Sequence, residues 1–120
     1  MSLVNMKDML CEARKARKAI GAFNITNYET AAAVLKAAEA ENEPVIIQLY
    51  MRLFDTGKAY DLAGTLQRLA FRAKVPVALH LDHGSYEGCY KCIEAGFSSI
   101  MFDGSHYPIE ENIAKTPELV

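Results

Sequence analysis

Two kinds of segment alternate along this chain, and the alternation restricts its possible folds more than any single residue does. Val45-Ile46-Ile47-Gln48-Leu49-Tyr50, introduced by Pro44, is a continuous β-branched and apolar run, the pattern of a strand buried on both faces of a parallel sheet. Val75 to Asp82 repeats that pattern, while Ala19 to Ile25 and Ser98 to Phe102 read as two shorter buried strands. Helical periods fill the intervals. Tyr28 to Glu41 is Ala-rich and follows Thr26-Asn27, which offers N-cap oxygens, with Glu29 at the capping-box spacing from Thr26. After turn chemistry at Asp55 to Lys58, Ala59 to Ala73 gathers Leu62, Leu66, Leu69 and Ala70 on one face. Ser85 can cap a helix from Tyr86 to Ala95 that Gly96 closes. A further amphipathic helix, residues 5–18, precedes the series, and another begins at Ile109 and meets the chain end with no Gly or capping signal.

Strands separated by helices form parallel βαβ units with right-handed crossovers, so the chain is expected to be a single α/β domain. Ligands of such sheets collect at the carboxyl ends of the strands. The polar residues predicted there are Asn24 with Asn27, Gln48 with Tyr50, His80 with Asp82 and His83, and Asp103 with Ser105 and His106. All four sets fall on one rim. The densest is His80-Leu81-Asp82-His83-Gly84, where a carboxylate and two imidazoles end an apolar run. Such groups are costly to bury unless they are paired, metal-bound or hydrogen-bonded. Strict alternation predicts that His80 and Asp82 share one face while His83 opens the loop. A lone His at such a strand end is commonly a satisfied core imidazole; four converging polar ends favour a reactive or metal-binding site.

Charge narrows the partners. With 13 Lys and Arg against 15 Asp and Glu, a net charge of -2 gives no basic excess to neutralise phosphate backbones, so nucleic acid is not an expected partner. The cluster Arg14, Lys15, Arg17, Lys18 sits at helical spacing and reads as a solvated helix face. No apolar run reaches the ~18 residues that a membrane helix requires, and no signal-peptide pattern opens the chain, which predicts a cytoplasmic protein without a membrane partner. Three cysteines are too few for a disulfide framework. Cys89-Tyr90-Lys91-Cys92 has the spacing of a redox dithiol or half a zinc site, yet it begins inside a predicted helix and lacks a second pair, which favours core thiols.

Four motifs taken together carry a family likeness. Gly-Ala-Phe-Asn-Ile-Thr-Asn at 21–27, Pro-Val-Ile-Ile-Gln at 44–48, Val-Ala-Leu-His-Leu-Asp-His-Gly at 77–84 and Asp-Gly-Ser-His-Tyr-Pro-Ile-Glu-Glu-Asn-Ile at 103–113 resemble the class II, zinc-dependent ketose-bisphosphate aldolases. Leu-Asp-His-Gly in its strand context, followed one βα unit later by Asp-Gly-Ser-His, is the specific part of the signal. The resemblance implies a (β/α)₈ TIM barrel that cleaves fructose or tagatose 1,6-bisphosphate reversibly to dihydroxyacetone phosphate and glyceraldehyde 3-phosphate. It further implies one catalytic Zn²⁺ held by His83, polarising the carbonyl and stabilising the enediolate, and a proton exchanged by Asp82. Asp103 corresponds to a position that holds a second divalent or monovalent cation, or else it caps its loop. Asn24 and Gln48 match positions lining the substrate cavity, and His80 a neighbour behind the metal or a packing residue. Ser105 and His106 are expected to bond locally. Tyr50 departs from the small residue common in the family and would narrow the cavity; Arg52 could meet a phosphate or remain a surface charge.

Length is the larger departure. A (β/α)₈ barrel takes about 250 residues, and 120 provide only the first four βα units after an N-terminal helix. Residues 1–120 are thus expected to be a truncated N-terminal half-barrel lacking the other zinc histidines, the Gly-rich phosphate loop and the loop acid, and inactive alone. Its open sheet edge and apolar interior favour self-association, so a homo-oligomer is expected. The alternative is a non-catalytic half-barrel serving as a structural or binding module.

Overall fold

The computed structural model describes residues 2–119, and among these four strands form one sheet in the order β1 (Gly21–Asn24), β2 (Val45–Tyr50), β3 (Val77–Gly84), β4 (Ser99–Phe102), every neighbouring pair parallel. Between them run α2 (Tyr28–Glu41), the short α3 (Arg52–Asp55), α4 (Lys58–Arg72) and α5 (Tyr86–Glu94); α1 (Met6–Lys15) precedes the sheet and α6 (Ile109–Lys115) follows it. The expected α/β alternation is present, and β2 and α2 have the expected bounds.

The sheet has two unlike faces. Val45, Ile47, Leu49, Val77, Leu79 and Leu81 point outward into the main core, against Ala31 and Leu35 of α2, Ala63, Leu66 and Ala70 of α4, and Cys89 and Cys92 of α5. The alanines let the helices approach closely. Each fully buried Leu or Val contributes roughly 1.5–3 kcal/mol. The inner face carries the alternate residues. Ile46 and Ala78 meet Met9 of α1 at its base, flanked by Val4, Met6 and Ile20, so α1 closes the end of the inner face opposite the strand C-termini.

A diagonal contact ties the sheet edge to β3. Asn24, Gln48 and His80 are Cα partners across β1, β2 and β3, yet the Asn24 side chain bonds Asp82, two residues farther along. The Asn24 amide thus reaches diagonally across β2 to a residue one layer higher on β3.

Several local expectations are corrected. β1 is exposed at all four residues because it is the sheet edge; burial begins at Ile25. The capping box of α2 uses Asn27 and Thr30 in place of Thr26 and Glu29, with Thr30 N donating to Asn27 Oδ1 at 2.9 Å and Asn27 N to Thr30 Oγ1 at 3.2 Å. Lys58 begins α4 after Gly57, whose φ of 76° suits glycine. The last α-helix ends at Lys115 and tightens into a 3₁₀ turn over Thr116–Leu119, because Pro117 lacks the N–H that would continue it. Val120 lies outside the described residues. Ser2 to Val4, to which the sequence reading assigns no element, extend the sheet: Val77 N donates to Ser2 O at 2.7 Å and Val4 N to Val77 O at 2.9 Å.

Candidate active-site rim

Alternation along β3 breaks where the chemistry begins. Leu81 pairs with Ile100 and Gly84 with Phe102, three steps against two, so β3 holds one extra residue in a bulge. His83 therefore belongs to the strand and does not open the loop. Regular pleating would send it into the helix-covered core beside Leu81. Instead its φ is 53° and half its side chain is exposed. Left-handed backbone costs a non-glycine residue roughly 1–2 kcal/mol. The Asp103 carboxylate helps to offset that cost: His83 Nδ1 lies 2.7 Å from Asp103 Oδ2. Gly84 permits the close packing that follows, since a Cβ there would meet Leu81, Cys89 Sγ and, at 3.1 Å, the Met101 carbonyl.

Asp103 is itself fixed. Its Oδ1 accepts from Ser105 N at 3.1 Å and Ser105 Oγ at 2.6 Å. The Ser105 hydroxyl first, and then His83, hold the Asp103 carboxyl well below the usual carboxylate range, while Asp103 raises the His83 pKa above its ordinary value. Oδ1 carries both Ser105 bonds, while Oδ2 keeps a lone pair beyond its contact with His83. Ser105 bonds locally as expected; the His106 ring lies against Tyr107, tilted by 36° with ring centroids 4.3 Å apart.

Asp82 faces inward beside this pair. Asn24 Nδ2 donates to its Oδ2 at 3.0 Å, and His83 Nε2 lies 3.9 Å from Oδ1. Oδ1 is left facing the rim. Tyr50 is the Cα partner of Asp82 on β2 and is substantially exposed. Gln48 lies one layer deeper, next to His80. His80 is buried and bonds neither His83 nor Asp82; its Nδ1 lies 2.8 Å from Ser99 Oγ. Burial lowers its pKa despite the nearby Asp82 carboxylate. Ser99 is the site residue that sequence reasoning missed. Its signal was available: a hydroxyl at an inward position of an otherwise apolar strand.

The remaining candidates lie apart from this chemistry. Arg52 is exposed on α3. Cys89 and Cys92 are buried in the core, where loss of solvation raises the first thiol and pushes the second up to about 12, so the pair is an inert packing element. Two apolar grooves, one beside β1 at Phe23 and Val34 and one under α1 at Met9 and Ile20, include none of His80, Asp82, His83 or Asp103.

The donor set suits zinc in part. A histidine whose Nδ1 is held by a carboxylate is oriented to bind metal through Nε2. Among the described residues, however, no three His, Cys, Asp or Glu side chains converge as a metal cluster. A catalytic zinc takes about three protein ligands, and His83 can be one of them.

Comparisons with known proteins place this chain. The YdjI aldolase of Escherichia coli K12 superposes with a TM-score of 0.91 at 34% identity, over 98% of this chain and 46% of that one. A fructose-bisphosphate aldolase from Campylobacter jejuni gives 0.76 at 26% identity, over 94% and 42%. By sequence, a fructose-bisphosphate aldolase of Streptococcus pyogenes serotype M3 is 46% identical over 123 residues, covering 100% of this chain and 42% of the relative. A 6-phospho-5-dehydro-2-deoxy-D-gluconate aldolase of Halalkalibacterium halodurans is 48% identical over 124 residues, covering 100% and 43%. The chain thus spans under half the length of these curated relatives. The family profile described as fructose-bisphosphate aldolase class-II matches residues 4–120, and with the parallel barrel arc and its Asp82-His83 rim the chain belongs to that family.

Proposed function

We propose that residues 1–120 form the N-terminal half of a TIM-barrel aldolase domain that cleaves a ketose 1,6-bisphosphate, fructose or tagatose, reversibly to dihydroxyacetone phosphate and glyceraldehyde 3-phosphate. The observation that carries this reading is the paired fixation of adjacent residues, Asp82 by Asn24 and His83 by Asp103. Asp82 holds and moves a proton through Oδ1, because Asn24 occupies Oδ2. His83 offers Nε2 to zinc, since Asp103 holds Nδ1. When bound, Zn²⁺ supplies Lewis-acid polarisation of the ketose carbonyl. Asn24 and Gln48 line the cavity below, Tyr50 narrows its mouth, and Asp103 is the position for a second cation through the Oδ2 lone pair that His83 leaves. The half-barrel by itself is inactive, as the remaining metal ligands and phosphate contacts lie outside it. A sugar-metabolising enzyme of this kind works in the cytoplasm; among the described residues no helix is long and apolar enough to cross a membrane.

Asp82→Asn in the complete polypeptide that carries these residues tests the assignment. Losing a positioned proton carrier lowers kcat for cleavage about 10²–10⁴-fold, with zinc content by elemental analysis unchanged. Wild-type-like cleavage by the variant would refute the proton role.

A further inference from the structure

His80 is the buried polar side chain of the core, with only 8% of its surface exposed, and the chemistry proposed for Asp82 and His83 leaves it unused. It lies on the inner face between Gln48 and Ser99, its Cα partners on β2 and β4. Ser99 Oγ is 2.8 Å from His80 Nδ1 and 3.8 Å from Met6 Sδ at the start of α1. His80 makes no hydrogen bond through Nε2. Since no sealed side-chain nitrogen or oxygen among the described residues lacks a partner, Nε2 must reach the open inner face.

Proton accounting selects the tautomer. A serine hydroxyl has one proton to give, and a thioether can only accept. With the imidazole proton on Nδ1, His80 donates to Ser99, Ser99 donates to Met6, and both contacts are hydrogen bonds. With that proton on Nε2, the Ser99 proton is spent on Nδ1 and Met6 Sδ faces an oxygen lone pair. The first arrangement satisfies one more contact, and it turns a bare lone pair toward the cavity.

We propose that His80, held in the Nδ1–H tautomer by Ser99 and Met6, contacts the ligand directly, its Nε2 accepting a hydrogen bond from a hydroxyl of a bound sugar phosphate. Ser99 is then a positioning residue, and the proposal rests on the aldolase reading for its ligand class. An acceptor selects a donor: a sugar hydroxyl qualifies, whereas the dianionic phosphate of a sugar ester or a carbonyl oxygen carries no proton to give. His80 lies two residues below Asp82 on the same face, roughly 7 Å along the strand. One short polyol chain can therefore reach both.

The test uses ¹⁵N spectra of the histidine rings in the complete, zinc-loaded polypeptide, titrated separately with dihydroxyacetone phosphate and with sulfate, a tetrahedral anion that carries no proton at neutral pH. The expected free state has a protonated Nδ1 and a pyridine-type Nε2 at His80. Dihydroxyacetone phosphate should move Nε2 upfield, and sulfate should leave it in place. Ser99→Ala should mix the tautomers and weaken dihydroxyacetone phosphate binding about tenfold, the loss of one hydrogen bond; Ser99→Thr, which keeps the hydroxyl, should restore both. A protonated Nε2 in the free protein overturns the proposal. So does a dihydroxyacetone phosphate response at the Asp82 and His83 amides with none at His80, or a His80 response to zinc alone. Absence of any dihydroxyacetone phosphate response overturns the sugar-phosphate reading itself and, with it, the hydroxyl contact.

Discussion

At the residue scale, Asp103 governs the rim through His83. The folded His83 pKa lies above its ordinary 6.5 because Asp103 accepts its Nδ1 proton, and the Asp103 pKa is depressed by Ser105 and His83. The raised His83 pKa stabilises the fold fully below the unfolded histidine value, and that contribution fades as pH rises through the folded one. The depressed Asp103 pKa stabilises above the unfolded carboxylate value and fails as pH falls through the folded one. Metal binding runs the other way for His83, since a proton on Nε2 excludes zinc. Asp103→Asn should therefore lower the His83 pKa measured by NMR and weaken zinc affinity about 10–100-fold; an unchanged His83 titration would contradict the anchoring role. The identities of Asp82, His83 and Asp103 were legible as a motif, whereas the pairing of Asn24 with Asp82 was not. That bond skips over Gln48, and only the three-dimensional stagger of the strands reveals it.

At the element scale, patterns set by strong local chemistry were legible and those set by competition were not. Continuous β-branched residues fixed β2, and an Ala-rich period fixed α2. Thr26 and Asn27 compete for the same cap, and Asn27 wins with Thr30 as its reciprocal partner, which spacing to Glu29 could not foretell. The bulge in β3 has no periodic signature, because its backbone answers to Asp103 from another βα unit. Gly84 marks it indirectly. Gly84→Ala should cost roughly 1–3 kcal/mol through overpacking, read as a lower midpoint in urea with unchanged m-value; wild-type stability would show that Leu81 and Cys89 yield without strain.

Across the whole molecule, one core is complete and one face is open. The helix-covered side of the sheet is packed, but β1 ends the sheet with Phe23 half exposed and all four of its residues accessible. Unprotected edges template pairing with other chains. The 120-residue chain should therefore associate in a concentration-dependent way in sedimentation velocity, and Phe23→Lys should reduce that association with unchanged circular dichroism. A wild-type chain sedimenting as a monomer at every concentration would show the edge to be inert. The barrel class was legible from strand and helix order, since each βα unit carries its own pattern; edge exposure was not, because it depends on which strands have neighbours.

The extra residue in β3 also bears on how such a site can change over generations. Neighbours in a regular strand point to opposite sides, so two consecutive side chains ordinarily cannot serve one cavity. Here a single inserted position lets Asp82 and His83 do so. Both proposed tasks, proton carriage and metal holding, consequently hang on one backbone irregularity and must be inherited together. Without the extra position only one side chain would follow Leu81 on the inner face, so a one-codon loss would cost the rim either Asp82 or His83 while leaving every other motif letter in place.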